Sequence, residues 1–161
     1  MNKFWWVSLS VALGLVAMSA LGAEPVESSP GSTKEFVVAM PPDIGSARSV
    51  ILVLSDVRLP RMAAVVLRAR LVETKAVKGG ADIVALLPLG SVGLLAESAN
   101  AQGVTHHSVV RIEVTKKLKR WRQDHPGVSS LNIRVIPFAG ADPLPHLEWS
   151  AASARLSLSG S

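Results

Sequence analysis

The stretch "HHSVVRIEVTKKLKRW", residues 106–121, holds two periodicities, and the fold class turns on where one gives way to the other. Val110, Ile112 and Val114 alternate with Arg111 and Glu113. That two-residue period belongs to a strand with one face in a core and the other in water. From Val114 the apolar positions pass to Leu118 and Trp121. This i, i+4, i+7 spacing fits one or two helical turns lying on the same core. Thr115 is the expected N-cap and Pro126-Gly127 the stop. Lys116, Lys117, Lys119, Arg120 and Arg122 then fall on the solvated side.

The same alternation recurs on both sides of this stretch. Val65, Leu67, Ala69 and Leu71 oppose Arg68 and Arg70; Leu131, Ile133 and Val135 oppose Asn132 and Arg134. Near the end, Ala152, Ala154, Leu156 and Leu158 oppose Ser153, Arg155 and Ser157. "FVVAM" (36–40), "RSVILVLSDVRL" (48–59), "ADIVALLPLG" (81–90) and "SVGLLAE" (91–97) add further β-type runs, divided by Pro41, Pro42, Pro60 and Gly79-Gly80. About eight short runs with turn residues between them predict an all-β protein, an antiparallel β-sandwich with one short helix. Val110, Ile112, Val114, Leu118, Trp121, Leu131, Ile133 and Val135 are expected to share one core.

The chain opens with "MNKFWWVSLSVALGLVAMSALG", residues 1–22, in which Lys3 is the only charge. An apolar run ending in Ala20-x-Gly22 is the pattern of a secretory signal peptide cut after Gly22 or Ala23. The uncharged run from Phe4 to Ala23 is long enough to span a bilayer as an uncleaved anchor, but Ser8, Ser10, Gly14 and Ser19 dilute it. Residues 23–33, rich in Pro and Ser, read as a flexible leader, and residues 34–159 as one domain. The expected address is periplasmic or secreted, with no stable membrane insertion once the signal is removed.

The sequence contains no cysteine, which excludes disulfides, thiolate chemistry, iron–sulfur clusters and a lipidated N-terminus. Seventeen basic residues stand against twelve acidic ones, and loss of Lys3 lowers the excess to four. That balance is too small to argue for nucleic acid. The basic run has only Trp121 as an aromatic, on the side of Leu118, so no nucleic-acid partner is expected.

His106 and His107 are the candidate metal ligands, with Cu(II) or Zn(II) the ions that suit imidazole. Both can reach one ion from a loop; on a strand, neighbours point to opposite faces. His125 and His146, the other two histidines, lie beside a helix stop and in the loop "DPLPHLE". No nucleophile elbow, zinc-protease helix or phosphate loop occurs, and the carboxylates are spread one per run. Asp56, inside an apolar run, reads as a turn residue rather than a buried carboxylate. No enzyme is expected, and no cofactor other than copper comes into view.

The order "VILVLSDVRLPRMAAVVLRARLV", "SVGLLAE", "VVRIEVTKKLKRW", "LNIRVIPFAGADPLP" and "SAASARLSL" resembles the C-terminal β-sandwich domain of bacterial tyrosinase and polyphenol oxidase proteins. The resemblance covers about residues 49–158, and the block 114–137 carries most of it. It departs at "VGLLAES", which lacks an aromatic, and at "NAQGVTHH", which stands for a longer His-rich loop. Oxidase chemistry in that family uses six histidines on a four-helix bundle holding two coppers; four histidines and no bundle mean that diphenol oxidation does not carry over. The resemblance implies a free-standing, non-catalytic interaction module, with a copper oxidase as protein partner. The alternatives are a small copper carrier built on His106 and His107, and a β-sandwich that binds a polymer or envelope partner.

Overall fold

The computed structural model describes residues 24–25, 32–60, 64–75, 83–95 and 103–160. The expected signal segment and the Gly79-Gly80 turn lie outside the described residues, as does most of the expected leader. Nine strands and one α-helix follow in order: β1 (Glu24–Pro25), β2 (Lys34–Ala39), β3 (Ser49–Pro60), β4 (Ala64–Lys75), β5 (Ile83–Leu95), β6 (Val104–Glu113), α1 (Thr115–Asp124), β7 (Ser130–Ala139), β8 (Asp142–Pro143) and β9 (Ser153–Ser159). All pairings are antiparallel. The larger sheet runs β1-β5-β4-β7-β2, with β8 also on β7; the smaller runs β6-β3-β9. The described residues therefore form an all-β sandwich of two sheets with one short α-helix.

Alternation decides which faces meet. Val65, Leu67, Ala69 and Leu71 of β4 and Leu131, Ile133 and Val135 of β7 are buried from the larger sheet. Val50, Leu52 and Leu54 of β3 and Val110 and Ile112 of β6 meet them from the smaller one. Helix α1 plugs one end: Leu118 is 0 % exposed, and Trp121 packs half-buried at the core's margin. Burying a leucine stabilises by about 1.5–3 kcal/mol, far more than helix propensity returns in so short a helix.

The helix start differs from expectation. Val114 occupies the cap position and Thr115 is the first helical residue. The Glu113 carboxylate takes over the capping role, accepting from the Thr115 hydroxyl and, at 3.3 Å, from its backbone N–H. A carboxylate there also meets the positive end of the helix dipole. The Thr115 hydroxyl is needed elsewhere, because Val50 N–H donates to its Oγ1 at 2.7 Å and ties the helix to β3.

Two further features correct the sequence reading. The described parts of "ADIVALLPLG" and "SVGLLAE", Ile83–Leu95, are one strand, β5, whose Pro88 sits where the register with β4 slips between Ala69 and Arg70. Ala69 faces Gly90 and Arg70 faces Pro88, so Leu89 is the extra residue of a bulge and turns into the core. A bulge also removes the need for a ladder N–H, which proline lacks. Asp56 is not in a turn; it lies inside β3 with φ 51°. Asp is among the residues that tolerate this left-handed conformation. It breaks the two-residue period, since Leu54 and Val57 both face inward three positions apart.

Candidate functional site

The kink at Asp56 fixes where both candidate histidines go. β6 begins at Val104, so His106 and His107 are strand residues, opposite Arg58 and Val57. His106 is exposed, and its Nε2 donates to Asp56 Oδ1 at 2.5 Å. Arg58 Nη2 donates to Asp56 Oδ2 at 3.3 Å. The hydrogen bond from His106, helped by the Arg58 charge, holds the Asp56 carboxyl below its usual range despite some desolvation. His107 turns the other way: its Nε2 is buried without a hydrogen-bond partner, beside Thr105, Leu59 and Val65. The two rings do not converge on one point. Among the described residues no three His, Asp or Glu side chains cluster as metal ligands.

The Asp56–His106–Arg58 cluster holds an ionised carboxylate between two donors on an open surface. Solvent screens such a group, and its contribution to stability is small. Sequence reasoning missed the cluster because it depends on the β3–β6 register and on one left-handed residue. Asp56 inside an apolar run was the only signal.

The basic helix divides its cations. Lys116, Lys117 and Arg120 are exposed, whereas Arg122 turns back and donates to the carbonyls of His125 and Val128, at 3.3 and 2.5 Å. Arg122 thus leaves the expected solvated set and closes the helix C-terminus. Trp121 is held from two sides. Its Nε1 donates to Glu73 Oε1, and its ring stacks on His125 with centroids 4.2 Å apart and planes 10° from parallel. His125 Nδ1 bonds the Trp121 carbonyl at 2.9 Å, which fixes the stacking partner in turn. His146 is exposed in its loop.

A third surface is the outer face of the smaller sheet. Val53 points outward yet is only 4 % exposed. In register it lies between Arg111 of β6 and Arg155 of β9. Long arginine stems cover apolar neighbours while their guanidinium groups stay in water. Val109, 41 % exposed, continues this face on β6. The sequence signal was the unbroken apolar run from Val50 to Leu54, since a strand with one wet face alternates and this one does not.

No family model matches the chain, and no curated protein matches it. Among solved structures the chain is similar to one titled "Latent aurone synthase (polyphenol oxidase) from natural source", with a TM-score of 0.52 and 12 % sequence identity. The match covers 84 % of this chain and 25 % of that chain. The chain therefore spans a quarter of that protein's length, and the likeness is one of fold: a β-sandwich of the kind found in part of a polyphenol oxidase.

Proposed function

We propose that this chain is an exported, non-catalytic interaction module that serves a tyrosinase-like copper oxidase. The observation that carries this reading is the fold-level likeness to one quarter of a polyphenol oxidase. A sandwich that accounts for a minor part of such a protein is suited to accompany a copper domain rather than replace it. Export is supported by the apolar run and the Ala20-x-Gly22 pattern near the N-terminus. No helix among the described residues is long and apolar enough to cross a membrane.

The docking face we assign is the outer side of the smaller sheet. Val109 supplies exposed apolar area, and Arg111 and Arg155, whose stems cover Val53, supply exposed guanidinium groups, which are enriched at interfaces. The matching partner surface is acidic with an apolar centre. The copper-carrier alternative draws no support from His106 and His107, whose rings diverge on one strand.

The test mixes the purified chain with a copper oxidase from the same cell that has no sandwich domain of its own. Co-elution and a changed rate of diphenol oxidation are expected, both weakened by Arg111→Glu/Arg155→Glu. An oxidase that neither co-elutes nor changes its rate sinks the accessory reading.

A further inference from the structure

A cleft of about 580 Å³ runs between α1 and β5. Leu71, Leu87 and Leu89 form its apolar floor, and Trp121 stands over them. Lys117 and Arg120 line its helical side one turn apart, with Asp124 one turn further. None of these three charged groups has a hydrogen bond or ion pair within the described residues. Ligand sites have this make-up: an apolar body of about 300–1,000 Å³ with a few polar groups set to orient what enters.

The aromatic wall is set in advance. The Trp121 N–H is committed to Glu73 and one ring face is covered by His125. His125 lines a second cleft but not the α1–β5 cleft, whereas Trp121 lines both. A planar ring entering the α1–β5 cleft meets a surface whose orientation is already fixed, and little ordering is needed on binding. The second cleft, of about 300 Å³, also shares Leu71 with the first. Glu73 and His125 line that side. The Glu73 carboxylate repels an anion there, which directs anions to the α1–β5 side.

Charge sets the ligand's valence. Two cations and one carboxylate leave a single net positive charge in the α1–β5 cleft, matched by a monoanion. Lys117 and Arg120 are exposed at the cleft's rim, where each can give a carboxylate a charge-assisted hydrogen bond. We propose that this cleft binds a planar aromatic monocarboxylate, its ring against Trp121 and over Leu87 and Leu89, its carboxylate on Lys117 and Arg120. This site is independent of the accessory role and stands or falls without it.

The probe is 2-naphthoate, titrated into the purified chain and followed by tryptophan fluorescence and calorimetry. Saturable one-to-one binding with a Kd of about 1 mM or tighter is expected for a ligand of this size. The neutral isostere 2-naphthamide is expected to bind at least about tenfold more weakly, and Lys117→Gln/Arg120→Gln to weaken 2-naphthoate by a similar factor. Both substituted side chains lie at the surface of α1, and the single variant Arg120→Glu serves if the double variant folds poorly. Three results overturn the proposal: no saturable binding up to about 10 mM, equal affinity for acid and amide, or affinity undiminished by the charge variants.

Discussion

Gly90 of β5 lies so close to β6 that a Cβ added to it falls 2.3 Å from the Glu113 carbonyl oxygen and 2.9 Å from Ile112 Cγ2. This contact brings the bulged strand against the start of α1, and through it the two sheets meet on that side of the sandwich. The obstructing oxygen is backbone and cannot swing aside. Gly90→Ala is therefore expected to lower stability by about 1–3 kcal/mol, the usual cost of overpacking. Gly93, three residues on, has nothing within 4 Å of its added Cβ. Gly93→Ala should be neutral or stabilising by up to about 1 kcal/mol, by restricting the unfolded chain. Urea midpoints of the two variants decide it; equal midpoints would refute the close-approach account.

The Asp56–His106 pair makes a prediction about acid. The folded-state pKa of Asp56 is depressed, first by the hydrogen bond from His106 and then by Arg58. A depressed carboxylate contributes stability above its ordinary pKa, and this is lost as pH falls through the folded value. The window lies below about pH 4. Glu113 behaves likewise, its pKa lowered chiefly by the Thr115 hydroxyl and secondarily by Ser49. Asp56→Asn keeps a side chain that tolerates the left-handed backbone but loses the charge. It is expected to be less stable than the parent at pH 7, with the gap closing as pH falls below about 4 and through the depressed folded value. A stability gap that stays constant across this range would mean that the carboxylate's charge has no part in it.

Much of this architecture was readable along the chain, and the unread parts share a cause. The β4 run from Val65 to Leu71 and the β7 run from Leu131 to Val135 declare their buried faces by strict alternation, and those faces are buried. The handover from Val110, Ile112 and Val114 to Leu118 is also local, because helix and strand abut the same core. Nothing local joined the runs 81–90 and 91–97, and only the partner β4 reveals that Pro88 sits at a bulge within one continuous strand. Thr115 was a reasonable cap by residue type, but Val50, 65 positions away, claims its hydroxyl. The candidate surfaces depend still more on register. Val53 becomes a covered outward residue only when Arg111 and Arg155 line up beside it. Lys117 and Arg120 were visible as charges, but not the leucines of β5 across the cleft.

Leu118 and the cations around it separate packing from charge. Leu118 is 0 % exposed within the common core. Leu118→Ala is expected to cost about 2–5 kcal/mol through lost transfer energy and the cavity left behind. Lys116, by contrast, is exposed and carries no ion pair to a described residue. Lys116→Gln should change stability by no more than about 0.5 kcal/mol. Thermal or urea unfolding of both variants tests the assignment, and a large loss on substituting Lys116 would show that the basic face supports the fold.

Opposite directions at His106 and His107 carry a last prediction. A Cu(II) ion held tightly needs several imidazole or carboxylate ligands on one point. Here His106 lies on Asp56, and His107 Nε2 is buried beside Thr105 on the other side of the strand. A Cu(II) titration is expected to give weak binding, with His106→Ala removing most of it and His107→Ala little, because the exposed ring alone reaches solvent metal. Tight one-to-one binding that needs both histidines would require the strand to open at residues 104–107. That result would restore the carrier reading. The same titration of Thr105→Val separates local opening from a rigid strand. Its buried Oγ1 has no protein partner among the described residues, so removing it should stabilise the strand end by about 1 kcal/mol. If copper needed an opened strand, this variant would bind it less well than the parent; a rigid strand predicts no difference.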